Sequence, residues 1–183
     1  MSDSICRRFG PGRLPYASRR DVGAGIAMAA TGVLAITIWF VATGLLLLTD
    51  AVPAVTGTND LEFAAAFGLL FAPFGVVASF VVGTLCWRAV DADALDPLTG
   101  ALLGACTAAA GMIGGSVGVS LVLTAVSLTT GTLALAQLVV FAVVVSVSAL
   151  LFSAVFAGWL IVPLGAFGGW YHERARATAT DGN

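Results

Sequence analysis

Apolar residues along this chain are gathered into four long runs, at about residues 22–48, 61–88, 98–128 and 133–162, and none of the runs carries a charge in its interior. Roughly 20 apolar residues in helical form cross the hydrocarbon core of a bilayer, so each run is long enough to span it. The fold class expected is therefore all-α: an integral membrane four-helix bundle, antiparallel, in up-down-up-down order. Residues 1–20 and 171–183 are read as cytoplasmic tails around a transmembrane domain at 21–170.

Punctuation between the runs fits this division. Asn59 and Glu62 have capping-box spacing at the start of the second run. Asp96 followed by Pro97 is an N-cap with proline at the first helical position, which starts the third. Only Thr129, Thr130, Gly131 and Thr132 separate the third run from the fourth, making those helices antiparallel neighbours. Pro73 predicts a kink in the second helix, since proline removes a backbone donor and clashes with the preceding turn. The last apolar stretch continues past Pro163 to Trp170, too long for one straight span, so a kink or break is expected around Pro163 and Gly165. Gln137 is expected to hydrogen-bond a neighbouring helix. Trp87, Trp170 and Tyr171 are read as anchors at the inner interface.

Composition agrees with lipid as the solvent. The chain is 59% hydrophobic and 10% charged, where soluble domains are about a quarter charged. Its mean hydropathy is +1.02. All cations are arginines, and their placement sets an orientation. Arg7, Arg8, Arg13, Arg19 and Arg20 precede the first run, Arg88 follows the second, and Arg174 and Arg176 follow the fourth. Cations near membrane ends are retained in the cytoplasm, so both termini are expected inside (N-in/C-in) in a multi-pass protein of the cell membrane. Ser18 to Val22 imitates a twin-arginine export signal, but the apolar run behind it is too long for a cleavable signal core, and an uncleaved first span is expected.

The third run carries the most specific internal pattern. Gly100, Gly104, Ala108, Gly111, Gly115 and Gly118 recur at intervals of three or four and share one helix face. Small residues so placed let two helix backbones approach closely. The stripe is read as a packing seam against a second copy or another membrane protein, with a Gly-lined conduit between subunits as the alternative.

Chemistry is sparse. No Asp, Glu, Lys, Arg or His stands in a span centre, where such residues mark proton and ion paths. His172, the single histidine, is expected to be a solvated residue beside Glu173. Cys6, Cys86 and Cys106 form no CxxC pair and none falls in an outer loop, which argues against a thiol oxidoreductase and a structural disulfide. No cofactor or metal motif is present, and nucleic acid is not an expected partner.

The strings Ala72-Pro73-Phe74-Gly75 and Gly100-Ala101-Leu102-Leu103-Gly104, around the acidic segment Asp91, Asp93 and Asp96, resemble small uncharacterised four-span proteins of halophilic archaea. The resemblance covers about a third of the chain and implies no activity. The function expected is that of a non-enzymatic structural or accessory membrane component. The alternative is a small oligomeric transporter or channel for a neutral or weakly polar solute.

The orientation is tested by labelling intact cells with a membrane-impermeant maleimide after Cys6, Cys86 and Cys106 have been replaced. Thr130→Cys should label from outside and Ala92→Cys should not; the reverse pattern would contradict the arginine-based topology.

Overall fold

The computed structural model describes residues 19–49, 60–90 and 96–180, except for the side chains of 60 and 176–180. Within them the chain is helical throughout, and no strand occurs among the described residues. The helices are α1 (Arg20–Leu48), α2 (Asp60–Ala89), α3 (Pro97–Thr129), α4 (Leu138–Ser153) and α5 (Trp159–Thr180). A 3-10 turn, Leu135–Gln137, precedes α4, and a π turn, Ala154–Gly158, joins α4 to α5. Four helical stretches are long and apolar enough to cross a membrane: Arg20–Leu48, Leu61–Ala89, Pro97–Thr129 and the composite Leu135–Ala175.

Helix ends follow local chemistry. Asp96 accepts a hydrogen bond from the Thr99 backbone N–H at 2.7 Å, with Pro97 next in the chain, as the Asp-Pro pair predicts. Hydrogen bonding from the Thr99 side chain and backbone holds the Asp96 carboxyl below the usual carboxylate range. At the far end of α3, Gly131 takes φ +71°. Its N–H bonds the Leu128 carbonyl while the Thr132 N–H bonds that of Ser127, a Schellman motif in which glycine carries the left-handed residue. Gln137 does not reach another helix: its side-chain oxygen accepts from the Ala134 backbone N–H at 3.4 Å, a local cap on the 3-10 turn. The Asn59 cap, Cys6, the tail arginines Arg7, Arg8 and Arg13, and Asp91 and Asp93 lie outside the described residues, as does the Arg176 side chain.

Both prolines sit inside continuous helices. The departure from α geometry in the last span falls at Ala154–Gly158, one turn before Pro163, and α5 then runs through Pro163 and Gly165 to Thr180. Leu135–Ala175 is 41 residues, about 60 Å at 1.5 Å per residue and roughly twice a 30 Å hydrocarbon core. The Trp159 indole donates to the Phe156 carbonyl at 3.0 Å across this π turn.

Packing places α3 at the centre. It touches α2, α4 and α5, while α1 lies against α2 and α5, largely across from α3. α1 and α2 run in opposite senses: Gly25 of α1 faces Phe80 and Thr84 of α2, whereas Gly68 of α2 faces Trp39 of α1. The distribution of side chains is inverted relative to a soluble bundle. Val139 is 76% exposed and Leu69 70%, with many Val and Leu beside them, while Thr43, Ser79, Thr107, Ser116, Ser120 and Ser153 are buried. Large apolar side chains outward and hydroxyls inward is the arrangement that hydrocarbon solvent favours, because hydroxyls find no partners in lipid.

Candidate functional site

The α3 stripe is consumed inside the chain. All six of its residues are buried. A Cβ added at Gly104 would meet the Gly165 carbonyl, and one added at Gly169 would meet the Gly100 carbonyl. One at Gly165 would fall on the Ala108 methyl. Gly100, Gly104 and Ala108 thus face Gly165 and Gly169 of α5, backbone against backbone. The other half of the stripe faces α2: Gly111 is covered by Ser79, Gly115 by the Phe71 ring and Gly118 by Phe74. A seam or conduit along these glycines, reserved for another subunit, is therefore corrected. The surface has no room left for one.

Trp87 is likewise not a headgroup anchor. It is 0% exposed, and its indole N–H donates to Glu173 Oε1 at 2.6 Å. Glu173 is itself 5% exposed and lies against Gly100, so residues read as a solvated tail continue the packed helix. His172 is also mostly covered, with its ring edge-on to Trp87 at 6.0 Å and Nε2 4.0 Å from Glu173 Oε1. The glycine contact explains both corrections. Holding α5 against Gly100 brings the next turn of α5 to the end of α2. At the same end Arg20 donates to the Val90 carbonyl at 2.7 Å, Arg19 lies 3.7 Å from Asp21, and Arg88 is exposed. Trp170 stacks near Phe167 and carries the Arg174 guanidinium 4.9 Å from its ring centre, with Tyr171 on the outer side.

The feature that chain pattern did not reveal is a cavity of about 70 Å³ among α1, α2, α3 and the π turn. Its walls include Trp39, Phe67, Phe71, Phe152 and Phe156, with Gly32, Gly68, Gly75 and Gly111 where the backbone itself forms the surface. The rings brace one another: Phe67 meets Phe152 at 4.9 Å edge-on and Phe152 stacks on Phe156 at 4.3 Å. No charged residue lines this cavity, and its hydroxyls are those of Ser79 and Ser153. Ser153 donates to the Leu150 carbonyl at 2.9 Å. A smaller cavity of about 20 Å³ adjoins it, lined by Met28, Thr31, Thr107 and Gly165 together with Gly32, Ser79, Ala108 and Ile161, which border both. The spacing of Phe67 and Phe71, one helical turn apart, was the visible signal of an aromatic wall.

The chain matches no family model, and no curated protein or solved structure proves similar to it.

Gly104→Ala should lower stability by about 1–3 kcal/mol, because its methyl meets backbone that cannot swing aside. Gly44→Ala, where an added Cβ has nothing within 4 Å, should not destabilise. Unfolding in mixed micelles by added SDS reads both, and equal stability of the two variants would contradict the close helix contact.

Proposed function

We propose that this chain is a non-enzymatic multi-pass protein of the cell membrane that holds a neutral lipophilic molecule inside its bundle. The four spans run up-down-up-down with both termini in the cytoplasm. The described arginines support that orientation, since Arg19 and Arg20 begin α1, Arg88 ends α2 and Arg174 follows Trp170, all at one end of the antiparallel helices.

The observation that carries the binding reading is the aromatic, charge-free cavity beside the π turn. Apolar pockets with a few polar groups are the usual form of small-molecule sites, and π turns recur at functional positions. The Gly-rich face of α3 serves this site as scaffold: it draws in α2 and α5, while the larger side chains of α1 and α4 stand off and leave space. A carrier for a weakly polar solute would use the same cavity. Contact with a second copy or another membrane protein falls to the lipid-facing Val and Leu surfaces of α2 and α4, not to the stripe.

Photolabelling of the full chain in lipid vesicles with a diazirine-tagged dodecane tests the reading. Adducts should concentrate on Trp39, Phe67, Phe152 and Phe156 and fall sharply in Gly32→Leu, whose added side chain points into space, the nearest atom to its Cβ being Val76 Cγ2 at 3.8 Å. Labelling confined to outward residues such as Val139 and Val140, unchanged in Gly32→Leu, would overturn it.

A further inference from the structure

The two adjoining cavities differ in chemistry. The larger is aromatic, whereas the smaller brings together three hydroxyl side chains from three helices: Thr31 of α1, Ser79 of α2 and Thr107 of α3. Thr31 Oγ1 donates to the Met28 carbonyl at 2.9 Å, and its oxygen keeps the capacity to accept. Thr107 is 0% exposed, and its Oγ1 has no hydrogen-bond partner among the described residues. Serine and threonine inside helices ordinarily satisfy themselves by bonding the carbonyl one turn back, as Ser116 does to Met112 at 2.8 Å. Thr107 forgoes that bond at the boundary of a cavity. A buried hydroxyl left unpaired is costly, and more so where no water phase is near.

Resting on the lipophilic-ligand reading above, we infer that the small cavity receives the one polar group of that ligand, a neutral hydroxyl or carbonyl oxygen, while its apolar body lies among the aromatic rings. Size agrees: about 20 Å³ accommodates a single water-sized group. Shared walls at Gly32, Ser79, Ala108 and Ile161 make the two spaces head and body of one site. Charge also selects. Neither cavity has a cationic or anionic residue in its lining, so a phosphate or ammonium headgroup would be buried without a partner. The occupant is therefore not an ordinary charged lipid but an uncharged molecule with a lone oxygen.

The test compares diazirine-tagged dodecane with the corresponding dodecanol on the full chain in vesicles. In the native protein the alcohol should mark the residues around Ser79 and Thr107. Its labelling should saturate at about tenfold lower concentration than in Thr107→Val, the change expected from one lost hydrogen bond. Thr107→Ser should retain that preference and Ser79→Ala should weaken it. Alkane labelling of Trp39 and Phe67 should be equal in the native protein, Thr107→Val and Thr107→Ser, since Thr107 lines the smaller cavity alone, which reports that these variants fold and that the larger cavity binds. If alcohol and alkane label identically in native protein and Thr107→Val, the small cavity holds a lone water only and the inference fails, while the lipophilic site stands. Absence of cavity labelling by either probe would overturn the binding reading itself, and the inference with it.

Discussion

The backbone contact between α3 and α5 at Gly100, Gly104, Gly165 and Gly169 is the constraint on which the remaining geometry rests. Lipid tails are as apolar as leucine, so helices in a bilayer gain little from burying leucine and must gain from dispersion at close range. Glycines on both partners allow this approach, and an added methyl at either Gly104 or Gly169 would run into the opposing carbonyl. Three consequences follow along the chain. The Ala108 methyl fits under Gly165, Glu173 is carried onto Gly100, and its carboxylate meets the Trp87 indole. A polar latch is thereby assembled at one end of the bundle by an apolar contact further in.

The bundle is tight where the small residues of α3 face glycine backbone and where they face an aromatic ring. Phe71 and Phe74 lie over Gly115 and Gly118, filling the C-terminal half of the α3 face. Around Gly32, where the nearest atom to an added Cβ is Val76 Cγ2 at 3.8 Å, the room is not taken up, and a cavity remains beside the widened turn at Ala154–Gly158. The buried hydroxyls follow the same logic. Ser120 spends its hydrogen on the Ala142 carbonyl of α4 at 2.7 Å and ties two helices, whereas the Thr107 hydroxyl, without a partner among the described residues, borders the small cavity. The two cavities thus arise from imperfect packing beside the π turn.

Elements with local causes were legible in the chain. The four apolar runs, the Asp96 cap with Pro97 and the turn at Gly131 depend on neighbours a few residues away. The spacing of the α3 small residues revealed a smooth helix face, but not whose backbone it receives, because the matching Gly165 and Gly169 lie beyond Pro163 in a stretch read as a break. Trp87 invited an interfacial reading from its place near a helix end. Its partner Glu173 is 86 residues away and follows the last apolar run, so sequence order concealed their meeting. The cavity was least legible of all. It is defined by what several elements leave unfilled, and only the one-turn spacing of Phe67 and Phe71 hinted at its wall.

The central claim, that α3 and α5 meet at their glycines, is most directly tested by solid-state NMR on protein labelled at alanine methyls and glycine Cα and embedded in lipid. A short-range cross-peak between the Ala108 methyl and Gly165 Cα, lost in Ala108→Gly, is the result expected from the structure. An Ala108 methyl that correlates with lipid acyl chains instead of Gly165 would contradict it.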